Sequence, residues 1–393
     1  MATSPKQTVL LLGYAFRPLF LLVALQALGM MLLWLLWWTG LLPLRVAGNP
    51  VFWHAHEMLN GMAGAAIGGF LLTAVATWTK RPPVSGTPLL LLCLSWLGGR
   101  LGGFFPLVGA VGDFGYWAGL LGLMANEVLR AGSTRNYKVL LVLGALLLSD
   151  LAFHVLPSIY PGTERQTVWA QLWLVLIMIS LVGGRIIPAF TRNWLKRQYS
   201  IQAKPPGAAE PALPAEFGTP DLLANIGIVL FAVSTLVSAP SWWILPCGVV
   251  TALLLFWRLF RWRGHKTLRD PLVWMLHLGF AWIPVGVALL AFGLAGYIPV
   301  SAGIHALTVG AVATMIVAVS SRAALGHTGR PLHSHPLLTL SIVLLTLAAV
   351  VRVCAAIGNH PMLVSVAGAL WIAAFLCYAI IYVPVLLLPA KKP

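Results

Sequence analysis

The stretch Asn49-Pro50-Val51-Phe52-Trp53-His54-Ala55-His56-Glu57 opens a long apolar segment and carries two imidazoles and a carboxylate. Asn is favoured at a helix N-cap and Pro at the first helical position, so the sequence predicts a helix that begins here and runs to about Thr79. At about 100° per residue, His54 and Glu57 lie on one face of that helix and His56 on another. The two histidines are therefore predicted to serve two different neighbours.

The composition indicates a membrane protein. Hydrophobic residues make up 60% of the chain and charged residues 9%, and the mean hydropathy is +0.90, far from the values of soluble globular proteins. The net charge of +16 comes from Lys and Arg in short runs between apolar segments, a pattern that reports membrane topology. We therefore expect membrane lipid, and not nucleic acid, around this chain.

Apolar segments long enough to cross the bilayer recur along the sequence. About 20 residues span ~30 Å of hydrocarbon. The predicted fold is accordingly all-α, a single transmembrane domain over residues 1–393 with twelve membrane spans. The predicted spans are Phe16 to Thr39, His56 to Trp78, Pro88 to Pro106, Gly112 to Val128, Val139 to Leu156, Trp169 to Phe190, Leu222 to Val237, Trp242 to Trp257, Leu272 to Leu294, Val300 to Ser320, Leu337 to Ile357 and Leu363 to Leu388.

Basic residues predict the orientation of these spans. They follow the even-numbered spans, while the loops after odd-numbered spans hold only Arg45 and Arg165. By the positive-inside rule, both termini are cytoplasmic and the stretch from Asn49 to Glu57 lies at the outer side. The first apolar run is long enough to stay as a span, so no removed signal peptide is expected.

Residues Gln198 to Pro220 are rich in Pro, Ala and Gly, and predict a cytoplasmic linker (198–220) between two halves of six spans each.

The chain also holds a candidate internal repeat. Setting His56 against His305 aligns further positions without a gap, and a weaker match relates the sixth span to the second; together they predict three four-helix units. The aligned positions are Gly61 with Gly310, Arg81-Pro82 with Arg330-Pro331, and Gly68-Gly69 with Gly183-Gly184.

Single cysteines, and histidines inside predicted spans, limit the kinds of site that the chain can form. The four cysteines stand alone in apolar segments, so no disulfide framework, zinc knuckle or covalently attached haem is expected. Histidine inside a span is costly without a partner, and His56, His277, His305 and His154 all lie inside predicted spans. Each could ligate a metal or haem iron, or could simply bond a backbone carbonyl.

Other charged groups have two readings as well. Glu57 could orient a ligand imidazole or carry protons to the site. Four arginines at span ends could reach lipid phosphates or the propionates of a haem; these are Arg17, Arg185, Arg192 and Arg322.

Long motifs in this sequence resemble the NnrS family across essentially the whole chain. They are Phe16-Arg17-Pro18, Trp53 to Met58, Gly184 to Asn193, Leu276 to Trp282, His305 to Gly310 and Arg322 to Arg330. The resemblance implies a bacterial inner-membrane protein that contains non-covalent, b-type haem and copper and acts in nitric oxide metabolism or relief of nitrosative stress. It implies that the metal ligands are His54, His56, His277 and His305, with His327 as a further site residue.

The leading hypothesis is a haem protein, with copper as a second metal, that binds or turns over nitric oxide or iron-nitrosyl species in the outer half of the membrane. His56 and His305 are predicted to converge there on one centre, and His277 to serve a second one. Turnover would make the chain a haem/copper oxidoreductase with an electron donor that the sequence does not identify.

The alternatives are a proton-coupled carrier of a small solute that uses Glu57 and the membrane histidines, and a metal-binding sensor without turnover. Twelve helices in three units are also an analogy, at the level of fold alone, to haem-copper oxidases.

Overall fold

The computed structural model describes residues 10–43, 45–201 and 212–389. Every long regular element in these ranges is a helix, and the twelve predicted helices are all present. They are α1 Phe16–Trp38, α2 Pro50–Thr79, α3 Thr87–Gly99, α4 Pro106–Arg130, α5 Tyr137–Ile159, α6 Glu164–Ile201, α7 Thr219–Leu236, α8 Ser241–Arg261, α9 Pro271–Leu294, α10 Val300–His327, α11 Pro336–Ile357 and α12 Pro361–Leu387.

Eleven of these helices are long and apolar enough to cross a membrane, and α3 is the exception within the described residues. It has 13 residues, about 20 Å of helix, and ends before the predicted boundary at Pro106 because residues 100–105 form a turn. That turn lies beside the start of α2: Ala47 N–H donates to the Gly103 carbonyl at 2.8 Å, and Gly103 packs on the Trp53 indole. The turn after α3 and the start of α2 therefore lie on the same side, as the predicted order of spans requires.

Helix α2 begins and ends as its sequence predicts. The Asn49 side chain accepts a hydrogen bond from Val51 N–H at 2.8 Å, with Pro50 at the first helical position. The helix ends at Thr79, where Lys80 adopts a left-handed conformation with φ of 55°. Among the eleven long spans, α2 and α10 are the most buried.

Both of these buried helices contain a π-helical segment directly after a histidine. In α2 the wide turns cover Glu57–Ala63, after His56, and in α10 they cover Ala306–Ala313, after His305. A tryptophan from another helix lies against the glycine of each segment: Trp96 at Gly61 and Trp282 at Gly310. The local geometry thus repeats at the positions that the sequence alignment pairs.

The chain forms two compact units. Of the described residues, the first unit comprises those within 1–175, 319–332 and 371–393, and the second those within 176–318 and 333–370. Within the first unit, α2 packs on α1 and α4, and α4 also contacts α3 and α5. Within the second unit, α8 packs on α7 and α9, and α10 packs on α9 and α11.

Close backbone approach in the first unit depends on glycine. Gly112 of α4 meets the backbone of α3 at Gly98 and Gly99, so the two helices form a tight hairpin. Asp113 is thereby brought against α3.

Residues 202–211, inside the predicted linker, lie outside the described residues, and the linker stays a prediction.

Candidate metal centre

Three helices of the first unit bring together two histidines and two aspartates. His56 comes from α2, Asp113 from α4, and Asp150 and His154 from α5, and one potential ligand atom of each lies within 4.8 Å of the others. The side chains of His56, Asp113 and Asp150 are at most 3% exposed and that of His154 is 15% exposed. We call this group the His₂Asp₂ cluster.

The imidazole nitrogens of the cluster face its carboxylates. His56 Nε2 lies 3.0 Å from Asp150 Oδ1 and 3.9 Å from Asp113 Oδ2. His154 Nε2 lies 3.4 Å from Asp113 Oδ2 and 4.0 Å from Asp150 Oδ2. Asp113 Oδ2, Asp150 Oδ2 and His154 Nε2 are all buried without an aligned hydrogen-bond partner among the described residues. Three atoms of types that ligate metals thus lie close together within the cluster.

The ligand atoms of the His₂Asp₂ cluster suit a divalent metal ion. Two imidazole nitrogens and two carboxylate oxygens are ligands that zinc, iron and copper accept, and buried carboxylate oxygens without donors are costly unless a cation compensates them. His56 Nε2 faces Asp150, and the His56 ring stacks on Phe153 with 4.1 Å between ring centroids. These surroundings suit a metal ion better than the flat ring of a haem, and ligation of haem by His56 stays a prediction.

A second set of charges borders the cluster. Arg100, at the end of α3, donates through Nη1 to Glu57 Oε2 at 2.7 Å and through Nη2 to Asp113 Oδ1. Gln26 of α1 also donates to Glu57 Oε2, at 2.9 Å. The other oxygen of Glu57, Oε1, lies 3.8 Å from His56 Nδ1. Glu57 is therefore placed beside the candidate ligand His56, as a group that orients an imidazole would be.

An amide network lies next along α2 after His56. Asn60 Nδ2 donates to Gln171 Oε1 at 3.0 Å, and Trp117 Nε1 donates to Asn60 Oδ1 at 2.9 Å. Gln171 Nε2 is buried without a hydrogen-bond partner among the described residues. The surroundings of His56 are therefore polar on this side.

The structure places the other predicted metal ligands outside the cluster. His54 stacks on Trp34 of α1, with 4.2 Å between ring centroids. In the second unit, His277 Nε2 lies 2.8 Å from Thr191 Oγ1. His305 Nδ1 lies 2.7 Å from the Ser301 carbonyl oxygen, one turn earlier in α10. The roles of these three histidines as ligands stay predictions.

The predicted arginines have different surroundings. In the first unit, Arg17 is buried and donates to the carbonyl oxygens of Leu386 and Leu388, at 2.6 and 2.8 Å. In the second unit, Arg192 contacts the Pro214 carbonyl at 3.4 Å. Arg185 lies on α6 and Arg322 on α10. Contacts with propionates or lipid phosphates stay predictions for all four; in the structure Arg17 ties the end of α12 to the start of α1.

The sequence prediction missed both aspartates and Arg100, and it left His154 open between a site role and a backbone bond. The sequence does contain a signal for the two aspartates. Asp113 and Asp150 are two of only nine acidic residues, and each lies inside a predicted apolar span. An ionisable residue within a span marks a functional site by default, and this applies to Asp113 and Asp150 as much as to Glu57 and the histidines. The spacing of Asp150 and His154, four residues apart on one helix, also places them on one face.

Comparison with known proteins identifies the family of the chain. No curated protein matches the chain at a significant level. The family model described as NnrS protein matches residues 10–389, nearly the whole length. Because this match covers nearly the whole chain, the chain belongs to the NnrS family.

Proposed function

We propose that this chain acts on nitric oxide at a transition-metal ion held by the His₂Asp₂ cluster. Membership of the NnrS family supports a nitric oxide-related membrane protein, and the cluster is the single observation that carries the metal proposal. Copper and iron are the preferred candidates, because mixed nitrogen and oxygen donors suit both and both bind nitric oxide. The metal would supply an open coordination position for this ligand.

The residues around the cluster support binding of a cation. His56 and His154 offer nitrogen lone pairs when their imidazoles are neutral, and Asp113 and Asp150 offer charge. Burial keeps water away from His56 and both aspartates, so electrostatic attraction to a cation is stronger than it would be in solvent. Glu57 stands beside His56 Nδ1 and would fix the ring that presents Nε2 to the metal.

We further propose that a b-type haem, where the chain carries one, binds through His305. Its Nδ1–H donates to the Ser301 carbonyl, and a bond from Nδ1–H to a backbone carbonyl is typical of histidines that ligate a metal through Nε2. His277 suits a haem less well. Thr191 Oγ1 donates to the Ile187 carbonyl, so His277 Nε2–H donates to Thr191 and the lone pair is on Nδ1, which faces the backbone of Gly264.

A second candidate function is proton-coupled transport of a small solute. Buried carboxylates and imidazoles within spans, here Glu57, Asp113, Asp150, His56 and His154, are also what a proton relay needs. For either function we propose a bacterial inner-membrane protein with cytoplasmic termini. A carrier needs no bound metal, and this difference separates the two candidates.

The deciding experiment measures metal and haem in protein purified from membranes in mild detergent. Elemental analysis should give about one copper or iron per chain beyond the iron of any haem, and nitric oxide should change the absorption and electron paramagnetic resonance spectra of that metal. The double variant Asp113→Asn with Asp150→Asn should lose this metal and keep its membrane insertion. A folded wild-type protein without metal would overturn the proposal and favour the carrier.

A further inference from the structure

We infer that Arg100 is a positioning residue of this metal site, which holds Asp113 in the orientation that a metal ligand needs. The inference rests on the proposed function, because it concerns how the same cluster is kept ready for a cation. Arg100 itself lies beyond the cluster and donates to Asp113 through the carboxylate oxygen that faces away from the imidazoles.

The two oxygens of Asp113 have separate tasks. Oδ1 accepts from Arg100 Nη2, while Oδ2 lies 3.4 Å from His154 Nε2 and 3.9 Å from His56 Nε2, without an aligned donor among the described residues. Because the first oxygen is anchored, the second is fixed toward the point where the histidines converge. Rotation of the carboxylate away from the cluster would break a charge-assisted hydrogen bond.

The position of Arg100 is itself fixed from three sides. Its Nε donates to the Trp96 carbonyl at 3.3 Å, its guanidinium lies over the Trp96 ring at 5.4 Å, and its other arm donates to Glu57. The Trp96 indole N–H in turn donates to the Gly61 carbonyl in the π-helical segment of α2. The end of α3 is thus clamped to the helix that carries His56.

Arg100 also sets the charge of the site. Glu57, Asp113 and Asp150 contribute three carboxylates, all buried, and Arg100 is the one arginine among the described ion pairs that contacts any of them. With neutral imidazoles, two negative charges remain, which matches a divalent cation.

Lysine cannot replace this geometry. The guanidinium presents separate donors in a planar fork and so bonds two carboxylates at once, whereas an ammonium group is a point charge. Arg100→Lys therefore keeps the charge and removes the bridge between Glu57 and Asp113. This substitution separates positioning from charge balance.

The test uses Co²⁺ as a spectroscopic probe on full-length protein stripped of metal with a chelator. Arg100→Lys should lower the Co²⁺ affinity by about 10-fold to 100-fold, the usual effect of losing a group that orients a ligand, and should shift the visible Co²⁺ bands. Glu57→Gln should lower the affinity by about tenfold with little change in the bands, because the Arg100 bond to Asp113 remains. Arg81→Lys is the matched control, since Arg81 pairs with Glu127 elsewhere in the unit at 2.5 Å; it should bind Co²⁺ as the wild type does.

Wild-type affinity and spectrum in Arg100→Lys would overturn the inference. If Arg100→Lys does not reach the membrane, Arg100→Gln, which removes both the charge and the bridge, decides, and its wild-type Co²⁺ affinity and spectrum would overturn the inference equally. Failure of the proposed function looks different, because the wild-type protein would then bind no Co²⁺ at all.

Discussion

His56 Nε2 lies 3.0 Å from Asp150 Oδ1, although 94 residues separate the two in the chain. This contact joins α2 to α5, and both side chains are at most 3% exposed. Inside an apolar bundle a buried carboxylate and a buried imidazole each need a partner, and here they are each other's partner. A metal ion bound between them, as proposed above, would compensate the charge of the carboxylate.

Asp150→Asn should remove the metal from the purified protein. The amide has the shape of the carboxylate and can still bond His56, so the fold should persist, but it lacks the charge that a metal ligand supplies. We expect at least a 100-fold loss of metal affinity, measured by competition with a chelator. Glu216→Gln, at an exposed acid of the second unit, is the control and should retain full metal content.

Two histidine variants test whether the chain holds one centre or two. His56→Leu should lose the cluster metal and keep haem, and His305→Leu should lose haem and keep the cluster metal, since His56 faces Asp150 and His305 belongs to the other unit. Metal analysis and the pyridine haemochrome assay measure both quantities. Loss of haem from both variants would instead support convergence of His56 and His305 on one haem, as predicted from sequence.

Two neighbouring glycines of α3 provide a steric test. A Cβ at Gly99 would collide with the Asp113 carboxylate, while a Cβ at Gly98 would meet Gly112 Cα at an ordinary 3.5 Å. Gly99→Ala should therefore displace Asp113 and weaken metal binding by at least about tenfold. Gly98→Ala should bind metal normally; equal behaviour of the two variants would contradict the placement of Asp113.

A stability prediction concerns the second unit. Arg258 is 1% exposed and donates to Asp221 at 3.0 Å, and the partly exposed Arg261 donates to the other oxygen of Asp221 at 2.9 Å. Asp221→Asn leaves a buried guanidinium without its counter-ion and should cost about 3–5 kcal/mol. Arg261→Gln should cost under about 1 kcal/mol. Thermal unfolding in detergent ranks the two, and the reverse order would refute this reading of the network.

The membrane orientation can be tested with reporters. A reporter fused after Lys392 should be active in the cytoplasm, and one inserted at Gly48 should report the outer side, because basic residues follow the even-numbered spans. The His₂Asp₂ cluster would then lie toward the outer face. Exchange of the two signals would place the cluster toward the cytoplasm.

Helix positions were predictable because each depends on local sequence. The cap at Asn49 and the end near Thr79 match the structure, since an apolar run between a capping residue and a basic loop leaves few other solutions. The early end of α3 was missed because hydropathy does not distinguish a helix from a turn containing Gly102 and Gly103.

Predicting the site from sequence had a different limit. The importance of His56 was recognisable from its place in a span, but its partners come from α4 and α5, and no local pattern links helices that far apart. The wide turns of α2 and α10 were not predicted either, because a period of about 100° per residue was assumed throughout. In α2, Gly64 lies against Tyr116 and Trp117 of α4, whereas Gly61 lies beside Gln26 and Arg100.

The π-helical turns also bear on how the chain assembles. A π-helical turn is a rare geometry, and in the one after His56 the Trp96 indole N–H donates to the Gly61 carbonyl. Trp96 is synthesised 35 residues later, on a helix that must first enter the bilayer and fold back. The four side chains of the His₂Asp₂ cluster come from α2, α4 and α5, and α3 lies between α2 and α4 in the chain, so the cluster is complete only once the chain has been synthesised as far as His154.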